Sequence, residues 1–101
     1  MSTLHTVNKS PFEKSSLDSC LGCAKAGSSV LLYEDAVYGA MKGTAFADKI
    51  AAATGVKCFV LGPDLKARGV AEDKVADGIE IVDYAGFVNL AVENDKVQAW
   101  V

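Results

Sequence analysis

The residues of this chain best suited to do chemistry are three cysteines, Cys20, Cys23 and Cys58, and its single histidine, His5. Cys20-Leu21-Gly22-Cys23 is a Cys-x-x-Cys spacing, whereas Cys58 stands alone in the apolar run Val56 to Leu61. A cysteine acts as a thiolate that attacks a disulfide or persulfide sulfur and releases the other sulfur as the leaving thiolate. That work requires exposure and a lowered pKa. In a thioredoxin-type motif the first cysteine heads a helix, where the macrodipole stabilises its thiolate. Here Cys20 falls a turn or more inside a predicted helix. On a wheel turning about 100° per residue, Leu17, Leu21 and Ala24 share a stripe, Cys20 lies about 60° to one side and Cys23 about 120° away. Cys20 is therefore expected at the border of the core, and Cys23 facing solvent or a partner. Lys25 is the nearest cation, but it lies about 140° round the helix from Cys20 and is a poor activator. Cys58 reads as a small hydrophobe in a covered strand.

Other chemistries find no support. A second Cys-x-x-Cys and a His-Glu-x-x-His are missing, and one histidine cannot assemble a zinc site, so no metal is expected. His5, inside the first predicted strand, reads as a hydrogen-bonded structural residue. Neither a Gly-x-Gly-x-x-Gly nor a P-loop occurs, so no nucleotide cofactor is expected. Three is an odd cysteine count, which argues against a disulfide framework.

The elements that must position these residues alternate. Leu4 to Val7 reads as a first strand, stopped by Asn8-Lys9-Ser10-Pro11. Ser15 or Ser16 caps a helix over Leu17 to Ala26, closed by Gly27. Ser29 to Tyr33 is apolar without alternation, the mark of a strand covered on both faces. Thr44 to Thr54 is a second helix and Val56 to Leu61 a third strand. Pro63 to Arg68 makes one or two helical turns, and a short acidic helical piece precedes Gly78. Ile79 to Val82 is a fourth strand, and Asp83 caps a helix over Tyr84 to Glu93 with Phe87, Val88, Leu90 and Ala91 at helical spacing. Val97 to Val101 ends the chain as a strand. Right-handed crossovers then predict a small flavodoxin-like or Rossmann-like three-layer α/β domain, with a mostly parallel five-stranded sheet, over the whole of residues 1–101.

Ligands and chemistry gather at the carboxyl ends of such strands. Those ends carry Lys9-Ser10, Glu34-Asp35, Asp64 and Asp83, and the ordinary role of the aspartates is helix capping. The following stretch, Ala36 to Gly43, is read as a loop. It holds Val37, Tyr38 and Met41 with only Lys42 charged, the composition of an interface centre. Tyr38 and Met41 are accordingly interface candidates, and Tyr38, Phe87 and Trp100 are candidates for exposed aromatic contact.

Composition bounds the partners. Ten Lys and Arg against thirteen Asp and Glu give a net charge of -3. A nucleic-acid binder carries a basic surplus to neutralise phosphates, so direct binding of tRNA or DNA is not expected. The longest uncharged stretches fall below half the ~20 residues of a membrane helix. The start of the chain lacks the pattern of a signal peptide, so a cytoplasmic protein with reduced cysteines is expected.

Several segments in order resemble one family. They are LHTVNKSP (Leu4 to Pro11), LYEDAV (Leu32 to Val37), LKARG (Leu65 to Gly69) and VDYAGFV (Val82 to Val88), with Trp100 completing the pattern. Over essentially its whole length the chain resembles the DsrH/TusB family of small sulfur-relay subunits, and Cys20 makes it look like the DsrH type. The resemblance implies a cytoplasmic heterohexamer with two copies each of DsrE-like and DsrF-like sister chains of the same fold. It also implies transfer of persulfide sulfur to a DsrC-like acceptor in sulfur oxidation or, for the TusBCD type, delivery towards 2-thiolation of the tRNA wobble uridine. Cys20 carries over as the candidate persulfide cysteine, and Cys23 looks like an addition. The principal cysteine of the family belongs to the DsrE-like sister, in the loop after its third strand, where this chain has none. Three readings follow: a sulfurtransferase subunit working through Cys20, a chemically silent docking subunit of the relay, or a stand-alone redox or ligand-binding domain.

Overall fold

The computed structural model describes residues 2–10, 16–53 and 55–100. Five strands, β1 (Thr3–Val7), β2 (Ser29–Leu32), β3 (Lys57–Leu61), β4 (Ile79–Val82) and β5 (Lys96–Trp100), alternate with four α-helices, α1 (Ser16–Cys23), α2 (Ala45–Ala52), α3 (Gly62–Ala67) and α4 (Tyr84–Glu93). The sheet runs β4-β3-β2-β1-β5, and every neighbouring pair is parallel. The expected α/β layering is present, with a wholly parallel sheet.

Strand order dictates where the helices go. From β1 to β4 the chain steps across the sheet in one direction, and from β4 to β5 it returns over three strands. Right-handed crossovers therefore place α1, α2 and α3 on one face and α4 alone on the other. The core divides accordingly. Val7, Leu17, Cys20, Val30, Ile50, Cys58 and Leu65 belong to the three-helix side, and Leu4, Leu31, Phe59 and Leu90 to the α4 side. In β2 all four residues are buried, with Val30 and Leu32 on one face and Leu31 on the other. A strand covered on both faces reads as an unbroken apolar run for this reason.

Local chemistry sets the helix ends. Thr44 Oγ1 accepts from Ala47 N at 3.2 Å ahead of α2, and Asp83 Oδ1 accepts from Gly86 N at 2.8 Å at the start of α4. Each satisfies one of the orphan N–H groups of a first turn. Gly86 reflects close packing, since a Cβ there would stand 2.8 Å from Val82 Cβ.

Two segments depart from expectation. α1 ends at Cys23 rather than Ala26, because the chain turns to bring Gly27 N to Gly55 O at 2.8 Å. Residues expected as a loop from Ala36 form a 3-10 helix, Glu34–Ala40. Its buried Ala36, Val37, Gly39 and Ala40 repeat every three residues, the period of that helix. Pro11, Ser15, Thr54 and Val101, to which the sequence assigned strand, cap and end positions, lie outside the described residues.

Candidate functional site

In an open α/β sheet the crevice opens where adjacent strands send their connections to opposite faces. Here that point lies between β3, which feeds α3, and β4, which feeds α4. An open cleft of about 980 Å3 occupies it, lined by Gly62, Pro63, Lys66, Asp83 and Gly86 and running down β4 past Glu80. The neighbouring strand ends are tied together. Asp64 Oδ2 accepts from Glu34 N at 2.6 Å, and Arg68 Nε donates to Asp35 Oδ1 at 3.0 Å. Glu34 has φ 50, a left-handed conformation that costs an L-residue about 1–2 kcal/mol and that the Asp64 carboxylate holds in place. Of the three aspartates expected as caps, only Asp83 uses its side chain so; Asp35 and Asp64 join the 3-10 helix after β2 to α3 and its C-cap residue Arg68.

The cleft contains no cysteine. Cys20 has 0% of its surface exposed and packs in the three-helix core, a correction to its expected place at the border. The inward stripe of α1 is centred between Leu17 and Cys20, while Leu21 and Ala24 are half-buried flanks. Burial, and then the neighbouring Cys23, push the Cys20 thiol up to about 12. Cys58 sits in the same cluster, as expected, and burial followed by Cys20 pushes its thiol up to about 12 as well. Burial thus holds both thiols in the protonated form, far from the poise of an activated nucleophile.

Cys23 is exposed, as the wheel indicated. It lines a smaller cleft of about 260 Å3 with His5, Lys25, Ser28 and Lys96, at the amino ends of the strands and so on the opposite edge of the sheet. It is the last residue of α1. Lys25 thus accompanies Cys23 rather than Cys20. His5 is buried at 5% exposure, and its Nδ1 accepts from Trp100 Nε1 at 3.1 Å, a structural hydrogen bond. Burial lowers its pKa from 6.5.

The interface candidates Tyr38 and Met41 are half-buried, and Met41 forms an antiparallel bridge with Val75. Phe87 and Trp100 are also half-buried and pack on the two cores, which corrects their expected exposure. Val88, counted on the inner face of α4, points outward at 60% exposure. Among the described residues the exposed large apolar side chains are Tyr84, Val88, Val92 and Val97. The sequence reading missed this group, although Tyr84, Val88 and Val92 stand at i, i+4, i+8. Among the described residues no cluster of three or more His, Cys, Asp or Glu could hold a metal ion. None of the described helices is long and apolar enough to cross a membrane.

Comparison with known proteins agrees with these elements. Residues 9–97 match the family model described as DsrH like protein. The chain is similar to Protein TusB of Pectobacterium parmentieri, 34% identical over 97 residues that span 96% of this chain and 99% of that one. Against Protein TusB of Erwinia tasmaniensis it is 36% identical with the same coverage. Its fold is similar to the crystal structure of the ychN protein from E. coli, with a TM-score of 0.75 at 18% identity, covering 99% of this chain and 100% of that one.

Proposed function

The chain belongs to the DsrH-like family, and on that premise we propose that it is a docking subunit of a sulfur relay of the TusBCD type, itself silent in the transfer. Such a relay delivers persulfide sulfur in the cytoplasm towards 2-thiolation of the tRNA wobble uridine. The sister chains carry the sulfur, and this chain completes the assembly. The TusB names of its relatives support the TusBCD type. The observation that carries the silent role is the enclosure of Cys20. A relay cysteine must present its sulfur to a partner's persulfide as a thiolate. Cys20 is fully buried with its thiol pushed up to about 12. A DsrEFH-type role, with Cys20 passing sulfur to a DsrC-like acceptor, requires α1 to open and expose that thiol.

The test is complementation. Cells lacking this chain are expected to lose 2-thiouridine from tRNA, and the wild-type chain and its Cys20→Ala and Cys23→Ser variants are expected to restore it equally. If the Cys20→Ala protein accumulates normally but restores no thiolation, Cys20 is a working relay cysteine and the silent role is wrong.

A further inference from the structure

Tyr84, Val88, Val92 and Val97 are exposed by 61, 60, 79 and 50%. Single exposed apolar residues are ordinary on a protein surface, but these four share one surface. The first three form a stripe about 12 Å long on α4, at 1.5 Å rise per residue. At about 100° per residue the stripe lies 120–160° round the helix from Gly86, roughly the far flank. Gly86 packs against Val82 of β4. The stripe is therefore turned away from β4 and towards the β5 side of the sheet. Val97 of β5 is in register with Leu4, which belongs to the α4-side core, so Val97 projects on that same face. Among the described residues this face carries α4, while the other carries α1, α2 and α3.

The charged residues of α4 and its two ends have one sign. Exposed Asp83 stands at its amino end, and exposed Glu93 and Asp95 at its carboxyl end. No lysine or arginine occurs between Val82 and Asp95. Lys96 shares the face of Trp100, opposite to Val97, where Trp100 packs on the three-helix core. A second copy of this chain is a poor match. Two α4 helices crossing antiparallel about a two-fold axis set Asp83 of one against Glu93 and Asp95 of the other.

We propose that the α4–β5 face, centred on Tyr84, Val88 and Val92, docks a partner chain of the relay whose contact patch is apolar at its centre and lysine- or arginine-bearing at its ends. The inference rests on the relay reading above and adds the surface and the chemistry of the partner. Apolar burial at the centre supplies affinity, while the carboxylates at both ends attract a basic rim and repel a like copy.

The test uses the full chain, affinity-tagged and expressed in its source cells, with the complex sized by chromatography and its members identified by mass spectrometry. Val88→Asp and Val92→Lys are expected to lower recovery of sister relay chains by about tenfold or more, with unchanged circular dichroism because both side chains lie outside the core. Glu93→Lys with Asp95→Lys is expected to lower recovery by a smaller factor that vanishes at high salt. A photo-crosslinking residue at position 92 is expected to label a sister chain on a segment bearing lysine or arginine. The proposal is overturned, with the relay reading intact, if both apolar-site variants recover sister chains as the wild type does, or if the crosslink joins two copies of this chain. A wild-type chain that elutes alone removes the relay reading and the proposal together.

Discussion

Trp100 Nε1 donates to His5 Nδ1 at 3.1 Å, joining edge strand β5 to β1 by a side-chain bond as well as by the ladder. The acceptor role places any imidazole proton of neutral His5 on Nε2, and protonation of Nδ1 abolishes the bond. Burial lowers the His5 pKa below 6.5, so the fold binds this proton more weakly than the unfolded chain does. The stability His5 contributes is therefore complete above about pH 7 and falls as pH drops through 6.5 towards the lower folded value. Trp100 is the single tryptophan, so its fluorescence is expected to titrate below pH 6.5. His5→Gln, which keeps an acceptor but does not titrate, is expected to remove that transition and flatten the acid slope of the melting temperature between pH 5 and 7. A fluorescence midpoint above 6.5 contradicts the assignment.

Thiol reactivity distinguishes the three cysteines. At pH 8 a disulfide reagent is expected to modify one thiol quickly in the native protein, Cys23, and all three once the chain is unfolded. Cys23→Ser is expected to leave no fast-reacting thiol. Cys20→Ser and Cys58→Ser each place a hydroxyl in an apolar core and are expected to cost about 1–3 kcal/mol in urea denaturation. Fast labelling of Cys20 in the folded chain contradicts its enclosure.

Gly86→Ala sets two effects against each other. In an exposed helix the change gains about 1 kcal/mol. Here the new Cβ meets Val82 Cβ at 2.8 Å, and overpacking of that kind costs about 1–3 kcal/mol. A net loss of stability is expected, read as a lower melting temperature; a gain means that α4 can move away from β4 freely.

The contact between the 3-10 helix after β2 and the α3 segment yields a graded series. Arg68→Ala is expected to cost under about 1 kcal/mol, because the Asp35 side chain is 56% exposed and such pairs are weak. Leu65→Ala, at 1% exposure on α3, is expected to cost about 2–5 kcal/mol. Glu34→Gly is expected to gain up to about 1 kcal/mol by removing the penalty of φ 50. Chemical denaturation of the three variants checks the order, and a loss on Glu34→Gly refutes the account of strain.

Much of this architecture is legible in local pattern. Ile79–Val82 and Tyr84–Glu93 occur where the apolar run and the Asp83 cap place them, since strand burial and helix capping are settled within a few residues. The alternation of strands and helices, with right-handed crossovers, leads to a parallel sheet before any contact is known. Cys58 and His5 were likewise readable, because a residue in mid-strand of a two-sided sheet has little choice but the interior.

Tertiary structure decided the rest. Strand order, with β5 returning beside β1, puts three helices on one face and one on the other, and neither arrangement is encoded in any single segment. Cys20 left the border of the core because the rotation of α1 about its axis is set by what it packs against, and a wheel of eight residues leaves that angle free within tens of degrees. Val88 moved outward for the same reason: α4 is apolar on more than one side, and the packing of Leu90, Phe87 and Ala91 on Leu4, Leu31 and Phe59, with the close approach of Gly86 to Val82, selects which flank meets the sheet. The tie from Asp64 to Glu34 joins residues thirty apart in the chain. Such a pair is invisible to local spacing, because parallel pairing of β2 with β3 is what brings their ends together.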